Sequence, residues 1–261
     1  LDMTDKQVAI VTGAARGIGK GIAISLAKVG FNIVVHDYID RESIDATAKT
    51  VKFIENLGVK AVGINTDISD IKLHKDIFDC ALKNFGRIDC LVSNAGVSVK
   101  NRGDILDVEQ DSFDRCIEVN TKAPFFLLQK CSKIMLSQKE KTGPKSIVVI
   151  SSSNAEMVSI NRSEYCVSKR ATSMTAKLFA LRLIKEGIQV FEIRPGLIMT
   201  DMTKPSKNKY DKLISEGMVP EGRWGYPEDI GQIVSVMAQG LLPYTCAQAV
   251  AIDGGMSIPN Y

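Results

Sequence analysis

The chain lacks the features that mark membrane, metal-binding and disulfide-rich proteins. Its longest apolar runs, such as Ile147 to Ile150, fall far short of the roughly 18 residues of a membrane-spanning helix. Its six cysteines form no C-x-x-C pair, and only two histidines could join them as metal ligands. We therefore predict reduced, mostly buried cysteines, no metal site and no membrane association.

Strong bias in charge or composition is also absent. The 261 residues include 33 Lys and Arg against 30 Asp and Glu, and a formal net charge of +3 is too small to imply a nucleic-acid partner. A hydrophobic share of 45% and a charged share of 24% exclude disorder, collagen and coiled coil. No signal peptide is recognisable, because the segment from Leu1 to Gln7 is polar. We therefore expect a globular, cytoplasmic protein.

Short β-branched runs alternate with longer helical patterns along the chain. Seven runs are candidate strands: Val8–Val11, Asn32–Val35, Ala61–Ile64, Ile88–Val92, Ser146–Ile150, Gln189–Ile193 and Ala249–Ile252. Several are apolar on both faces, as parallel strands are when helices cover both sides of the sheet. The alternation predicts an α/β fold with a doubly wound, seven-stranded parallel sheet and helices on both faces. No linker interrupts it, so we expect a single domain over residues 1–261.

Apolar spacing and glycines place the intervening helices. Between Ser69 and Phe85, apolar residues recur at steps of seven, four and three, which predicts an amphipathic helix, and Gly86 follows as its end. Gly30 and Gly58 are expected to end the two preceding helices in the same way.

The loop after the first strand is rich in glycine. It reads Thr12-Gly-Ala-Ala-Arg-Gly-Ile-Gly19 and leads into a helical stretch. Glycines let the backbone approach a ligand, and a helix N-terminus offers free N–H groups to a pyrophosphate. The spacing G-x-x-x-G-x-G departs from the general G-x-G-x-x-G fingerprint, and simple turn chemistry is the alternative. The place between strand and helix favours a dinucleotide site, with contacts from Gly13, Arg16, Gly17, Ile18 and Gly19.

Asp37 stands at the end of the second strand. A carboxylate there can accept hydrogen bonds from the adenosine ribose and would repel a 2′-phosphate. The alternative is an Asp that caps the following helix. Arg16 favours NADP instead, because a cation beside the loop could pair with a 2′-phosphate. The position of Asp37 favours NAD over NADP as the cofactor.

Tyr165 and Lys169 are spaced i, i+4 and lie on one face of a predicted helix from Ser163 to Lys185. An ammonium close to a phenol lowers the phenol's pKa and makes it usable as an acid or base near neutral pH. Such a pair is weak evidence alone. Three serines, Ser151 to Ser153, follow the fifth strand, where a hydroxyl can hydrogen-bond a substrate oxygen whose charge changes during reaction.

Together these motifs resemble the classical short-chain dehydrogenase/reductase family over nearly the whole chain. Further matches are Asp67, Asn94-Ala-Gly96, Asn120, Tyr165-Cys-Val-Ser-Lys169, Arg194-Pro-Gly196 with Thr200, and Asp253-Gly-Gly255. The resemblance implies a Rossmann-like fold and a catalytic tetrad of Asn120, Ser152, Tyr165 and Lys169. In that tetrad Tyr165 passes the proton, Ser152 polarises the reacting oxygen, Lys169 lowers the Tyr pKa and binds the nicotinamide ribose, and Asn120 holds a relay water.

The resemblance also implies further contacts with the cofactor. Asp67 and Ile68 would touch the adenine, and Asn94, Ala95 and Gly96 would make room for the adenosine ribose. The nicotinamide side would be lined by Pro195, Gly196, Ile198 and Thr200. Simpler roles stay open, since Asp67 could cap a helix and Asn94 to Gly96 could form an ordinary turn after a strand.

The resemblance implies an NAD-dependent oxidoreductase that transfers a hydride between the cofactor and a secondary alcohol or ketone. The polar segment Ser153 to Glu164 favours a small polar substrate such as a polyol, sugar or hydroxy acid, bound by Ser152, Asn154, Asn161 and Arg162. A 3-oxoacyl-[acyl-carrier-protein] reductase is the first alternative. A catalytically silent dinucleotide-binding sensor is the second, and the presence of all four tetrad residues disfavours it.

The resemblance also implies assembly, because the family pairs two of its helices across a twofold axis. In this chain those helices carry a surplus of apolar side chains, namely Phe125, Phe126, Leu128, Met174, Leu178 and Leu181. We therefore expect a homotetramer.

Overall fold

The computed structural model describes residues 6–138 and 143–259, which build one seven-stranded parallel sheet. The strands are β1 Val8–Thr12, β2 Asn32–Asp37, β3 Ala61–Asn65, β4 Cys90–Ser93, β5 Lys145–Ile150, β6 Ile188–Pro195 and β7 Ala249–Ile252. Their order in the sheet is β3-β2-β1-β4-β5-β6-β7, and every neighbouring pair is parallel. The predicted doubly wound fold is confirmed.

Eight α-helices surround the sheet in the described part of the chain. They are α1 Gly17–Lys28, α2 Arg41–Glu55, α3 His74–Phe85, α4 Gln110–Ile117, α5 Ala123–Ser137, α6 Ser163–Leu183, α7 Lys207–Ser215 and α8 Pro227–Ala238. A π-helical segment, Glu118–Lys122, joins α4 to α5. None of the described helices is long and apolar enough to cross a membrane.

Helices cover both faces of the sheet and create two apolar cores. In β1, Ala9 and Val11 belong to the core that contains Ile22 of α1 and Val234 of α8, whereas Ile10 belongs to the core on the opposite face. Successive side chains of a strand point to opposite faces, so a strand with both faces covered must be apolar throughout. All five residues of β1 are buried, as its continuous apolar run predicts.

The helix ends differ from the sequence-based limits for local reasons. The predicted helix from Ser69 begins instead as a short 3-10 turn, Ile71–Leu73, because the Asp70 carboxylate accepts the Lys72 N–H and fixes that turn ahead of α3. Gly86 ends α3 with a left-handed φ of 71°, as expected. Leu128 is a correction: it was expected on an apolar surface but is fully buried in the core beneath α5.

The order of the strands fixes where a ligand can bind. The chain leaves β1 toward β2 on one side and returns on the other side as β4, so the connections diverge between β1 and β4. In doubly wound sheets this divergence opens a crevice at the carboxyl ends of the strands. The glycine-rich loop after β1, the loop after β4 and the serines after β5 all lie at this edge.

Candidate active site

The glycine-rich loop packs so tightly that side chains are excluded from it. A Cβ added to Gly19 would lie 2.0 Å from the carbonyl oxygen of Gly13, and Gly13 itself has a left-handed φ of +65°. Both positions therefore require glycine. Helix α1 begins at Gly17, so the free N–H groups of its first turn face the loop, which is the arrangement that accepts a pyrophosphate.

Asp37, at the end of β2, is held beside this loop by the backbone. Its carboxylate accepts hydrogen bonds from the N–H groups of Ala15 and Tyr38, both at 2.8 Å. Helix α2 is capped by Asp40 and not by Asp37, because the Asp40 carboxylate accepts the Ser43 N–H at 2.7 Å. The capping alternative for Asp37 is therefore wrong.

Arg16 is not a free cation. Its guanidinium pairs with Glu42 and donates to the hydroxyl of Ser43 at 3.2 Å. The charge of Arg16 that could have met a 2′-phosphate is therefore opposed by a neighbouring carboxylate.

The loop after β4 is tied to the glycine loop by Thr12, a residue the sequence analysis did not single out. The Thr12 hydroxyl accepts the N–H groups of Asn94 and Ala95 at 3.0 and 3.1 Å. The Asn94 side-chain amide donates in turn to the carbonyls of Thr12 and Gly13 at 2.8 and 3.2 Å. Asn94 thus fixes the two loops together, and its role is more than that of a simple turn.

Two adjoining cavities form one elongated cleft along this edge of the sheet. The first, about 740 Å³, is lined by Asp37, Asp67 and Ile68 and by acidic side chains of α4. The second, about 450 Å³, is lined by Gly17, Ile18, Ser152, Tyr165 and Lys169. Both cavities are lined by Asp37 of β2 and by the same residues of the two loops, namely Gly13, Arg16, Ala95, Gly96 and Val97. The cleft therefore extends from Asp67 past Asp37 to Tyr165.

Asp67 has a structural role as well as a place in the first cavity. Its carboxylate accepts the N–H and the hydroxyl of Ser69, at 2.9 and 2.7 Å. The carbonyl of Ile68, whose side chain is almost buried, accepts from His74 at 2.7 Å. The expected turn-capping and cavity-lining roles of Asp67 are thus compatible.

Asn120 lies in the π-helical segment between α4 and α5 and is buried. Its side-chain oxygen accepts the Val97 N–H at 2.9 Å, and its NH₂ group donates to the Val97 carbonyl and the Ser168 hydroxyl at 2.9 and 3.0 Å. The NH₂ group is therefore occupied by protein partners. The side-chain oxygen and the backbone carbonyl of Asn120 each accept one hydrogen bond, the carbonyl from Thr172, so each keeps a second lone pair that could accept from a relay water.

Tyr165 and Lys169 stand together in the second cavity, on one face of α6 as predicted. The Lys169 Nζ lies 5.7 Å from the centre of the Tyr165 ring and donates to the Ile150 carbonyl at 3.2 Å. Ser152 follows β5 at the same edge and accepts the Asn154 N–H at 3.1 Å. Three of the four tetrad residues thus line one cavity, and the fourth is buried behind it.

The charges around Tyr165 correct one expectation. Burial raises the pKa of Tyr165 above its usual value, and the hydrogen bond with Ser152 and the positive charge of Arg162 only partly oppose this. Burial lowers the pKa of Lys169 to about 8, against the attraction of Cys116 and Glu192. The expected lowering of the Tyr165 pKa by Lys169 does not occur here, because desolvation dominates both groups.

The residues expected on the nicotinamide side divide into two groups. Pro195, Gly196 and Thr200 line the second cavity, and the Thr200 N–H donates to the Thr203 hydroxyl at 3.0 Å. Ile198 does not line it. Its buried side chain packs on Gly225, where an added Cβ would lie 2.5 Å from the Ile198 Cδ1, and the expected contact of Ile198 with the cofactor stays a prediction.

The residues expected to bind the substrate lie in two different places. The Arg162 guanidinium lies 5.5 Å from the centre of the Tyr165 ring and donates to the Asn154 side-chain oxygen at 2.7 Å. Asn161 is exposed and lines a different, acidic cavity of about 170 Å³ together with Asp104 and Asp107. The structure brings Arg162, with Asn154 bound to it, next to Tyr165 and does not bring Asn161 there, because the turn before α6 points it outward.

A buried ionic network behind the site was missed by the sequence analysis. Glu192 of β6 is fully buried and accepts from the hydroxyls of Ser151 and Ser173, at 2.6 and 2.9 Å, and from Arg194 at 2.8 Å. Arg194 also pairs with Glu156 at 3.0 Å. The signal was present in the sequence: two charged residues, two positions apart, in an otherwise apolar strand.

The site contains the parts needed for acid–base chemistry on an oxygen-bearing substrate next to a bound dinucleotide. A phenol, a hydroxyl and a buried amine line one cavity of the cleft, and the Asp37 carboxylate lines the same cavity beside the glycine-rich loop. Among the residues that the structure describes, no group of three or more His, Cys, Asp or Glu side chains could hold a metal ion.

Known proteins are similar to this chain in sequence and architecture over almost their whole length. A family model described as enoyl-(acyl carrier protein) reductase matches residues 13–257. A hydroxynaphthalene reductase-like protein of Metarhizium guizhouense is 34% identical over 95% of this chain and 94% of its own. An L-rhamnose 1-dehydrogenase (NAD(P)(+)) of Sphingomonas is 29% identical over 99% of both chains.

Among solved structures, the chain is similar to a 3-oxoacyl-[acyl-carrier protein] reductase from Brucella melitensis in complex with NAD. The TM-score is 0.93 at 39% sequence identity, and the match covers 98% of this chain and 99% of that one.

Proposed function

The chain belongs to the classical short-chain dehydrogenase/reductase family, and from this premise we propose that it transfers a hydride between NAD and a small polar secondary alcohol or its ketone. As a member of the family it is an oxidoreductase that acts on CH–OH or keto groups. The observation that carries the proposal is that Ser152, Tyr165 and Lys169 line one cavity together with Asp37 and the glycine-rich loop.

The chain's own residues fit a dinucleotide. The backbone around Gly13 and Gly17 leaves a cradle without side chains, and the first turn of α1 supplies N–H donors for the phosphates. Lys169 would bind the nicotinamide ribose. When bound, the nicotinamide accepts or gives the hydride, and the protein supplies position and electrostatics.

The choice of NAD over NADP rests on the charge around Asp37. Six carboxylates but only two guanidiniums line the cavity beside it; they are Asp37, Asp40, Asp67, Asp111, Asp114 and Glu118 against Arg16 and Arg115. A 2′-phosphate carries negative charge and would be repelled there, whereas the ribose hydroxyls can donate to Asp37.

Proton transfer is assigned to the Tyr165 hydroxyl. In the oxidative direction Tyr165 must be deprotonated, so that its oxygen can take the proton from the alcohol as the hydride leaves, and in the reductive direction the neutral Tyr165 hydroxyl gives its proton to the carbonyl oxygen. The Ser152 hydroxyl donates to the same oxygen and stabilises its developing charge. Asn120 acts at a distance, because it fixes the Val97 backbone and Ser168 on opposite sides of the site.

The polar wall around Tyr165 supports a small polar substrate. Arg162 brings a guanidinium to the face of the tyrosine ring, and the Asn154 side-chain oxygen holds that guanidinium through a hydrogen bond. Reduction of 3-oxoacyl thioesters on a carrier protein is the second candidate, supported by similarity to the Brucella melitensis reductase.

The proposal is tested by steady-state turnover of purified protein with NAD and NADP against polyols, sugars, hydroxy acids and a 3-oxoacyl thioester. We expect NAD-linked oxidation of a polar alcohol. Tyr165→Phe should lower kcat by at least tenfold, about 1.4 kcal/mol of barrier, while NAD still binds. A variant that keeps more than a tenth of kcat would contradict the proton-transfer role, and preference for the thioester would favour the second candidate.

A further inference from the structure

Two arginines near Tyr165 and Tyr210 have no carboxylate partner among the described residues. Arg162, in the turn before α6, lies 5.5 Å from the centre of the Tyr165 ring, and Arg102, in the loop after β4, donates to the Tyr210 hydroxyl. Most other arginines of the described chain form ion pairs; Arg87 pairs with Asp89 and Arg223 with Asp229, each at 2.8 Å. The charges of Arg102 and Arg162 are therefore free to meet an anionic ligand.

Arg162 is anchored but its hydrogen bonding is incomplete. Within the described structure, its guanidinium makes a single hydrogen bond, from Nη2 to the Asn154 oxygen at 2.7 Å. Its Nε is buried and has no acceptor. A buried donor without a partner is costly, and a guanidinium presents several donors in a planar fork that matches a carboxylate. The unused donors can therefore receive an anion that enters beside Tyr165.

Arg102 reaches the same region from another element. It donates to the hydroxyl of Tyr210, on α7, at 3.1 Å. Burial raises the pKa of Tyr210, but the hydrogen bond from Arg102 and the charges of Arg162 and Arg102 outweigh burial and lower it. The positive charge of Arg162 acts on both Tyr165 and Tyr210, so Arg162 lies near each of the two phenols.

We propose that Arg102 and Arg162 bind a carboxylate of the substrate, so that the enzyme selects hydroxy acids and their keto acids over neutral alcohols. The inference rests on the proposed function, because it assumes that the alcohol reacts at Tyr165. The Arg162 guanidinium lies 5.5 Å from the Tyr165 ring, so the carboxylate and the reacting carbon belong to one short chain. A polyol or neutral sugar offers no group for this pair of charges.

A binding experiment tests the inference without turnover. The protein saturated with NADH is titrated with pentanoate and with pentanamide, which have the same shape and differ in charge, and the dissociation constants are read from NADH fluorescence. We expect pentanoate to bind at least tenfold more tightly. The difference should shrink to less than threefold in Arg162→Gln and in Arg102→Gln.

The control is Arg182→Gln, which removes the same charge at an exposed position of α6 where Arg182 pairs with Glu186. This variant should keep the full preference for pentanoate. If Arg162→Gln fails to fold, the Arg102→Gln variant still tests the inference, because Arg102 is exposed. Equal affinity of the two ligands, or a preference that survives both cleft substitutions, would overturn the inference.

Turnover distinguishes this inference from the proposed function. Gluconate is compared with sorbitol, and 3-hydroxybutyrate with 1,3-butanediol, at pH 7 with NAD. We expect the acids to have the higher kcat/KM, and Arg162→Gln to raise KM for acids at least tenfold while kcat changes little. Efficient oxidation of the neutral member of each pair would overturn the inference and leave the oxidoreductase proposal intact. Binding of pentanoate with no turnover of any alcohol would contradict the oxidoreductase proposal and leave the carboxylate-binding role of the two arginines intact.

Discussion

At Lys169, burial works against the positive charge on which the proposed chemistry relies. The side chain is 5% exposed, and desolvation brings its pKa from 10.5 to about 8. Below pH 8 the folded protein must hold a buried ammonium with one backbone carbonyl as hydrogen-bond partner. A lowering of this size corresponds to about 3 kcal/mol of folding free energy. The buried Lys169 ammonium therefore destabilises the folded protein, and the proposed function requires it at this position.

Replacing Lys169 by Met should make the protein more stable at neutral pH and inactive. The folded-state pKa lies below the unfolded value, so the destabilisation is complete below pH 8 and fades as pH rises from about 8 to 10.5. We expect Lys169→Met to gain roughly 1 to 3 kcal/mol in urea unfolding at pH 7 and less at pH 10. Lys177→Met, at an exposed position of α6, is the control and should show no such pH dependence.

Asp37→Ser should shift cofactor preference toward NADP. The change removes a ribose acceptor and one negative charge, while Arg16 remains beside the loop. We expect the ratio of kcat/KM for NADP to that for NAD to rise at least tenfold. Equal kcat/KM for the two cofactors in the unmodified protein would contradict the assignment of NAD.

At the scale of elements, one buried ionic network joins β6 to the two segments that carry the proposed reacting groups, the loop after β5 and α6. Glu192 accepts from Ser151 at the end of β5 and from Ser173 of α6, and Arg194 links β6 to Glu156 in the turn after β5. Breaking a buried ion pair by removing one partner typically costs 3 to 5 kcal/mol. The network therefore holds β5, β6 and α6 in fixed relation at the catalytic edge.

Glu192→Gln should alter the pH profile as well as the stability. The Glu192 carboxylate raises the pKa of Lys169, so its loss should move the basic limb of the kcat/KM profile to lower pH. We expect kcat to fall about tenfold, equivalent to about 1.4 kcal/mol. Glu186→Gln, which breaks the surface ion pair with Arg182, should leave kcat and the pH profile unchanged. A lower melting temperature with an unmoved pH profile would show that Glu192 has a structural role alone.

At the scale of the whole molecule, α6 exposes an apolar stripe that a monomer would leave in water. Met174, Leu178 and Leu181 are 53%, 54% and 78% exposed and lie at helical spacing on one face. The ring centres of Phe125 in α5 and Phe179 in α6 lie 5.4 Å apart, so the two helices pack together beside this stripe. Contiguous apolar surface of this kind is typical of an interface between subunits.

We predict a homotetramer whose assembly depends on this stripe. Light scattering should give a mass near four times 28.5 kDa for the unmodified protein, and a smaller assembly for Leu178→Arg. Phe53→Arg, at a 47% exposed position on α2, is the control and should remain tetrameric. A single species at 28.5 kDa for the unmodified protein would refute the prediction.

The sequence by itself determined the features that depend on neighbours along the chain. Short β-branched runs predicted all seven strands, and several of these runs are apolar on both faces because helices cover both sides of the sheet. Glycine at positions 13, 17 and 19 predicted the tight loop, since backbone geometry there excludes a Cβ. The i, i+4 spacing alone placed Tyr165 and Lys169 on one helical face.

Tertiary structure decided what depends on residues distant in the chain and on burial. The hydrogen bond from Arg102 to Tyr210 spans 108 positions, and no local pattern predicts it. The direction of the Tyr165 pKa shift was mispredicted, because desolvation is a property of the packed core and not of residue spacing. Leu128 is buried while Leu181 is exposed, although both are leucines on helices, because only the packing of α5 and α6 against the sheet decides which helical face meets the core.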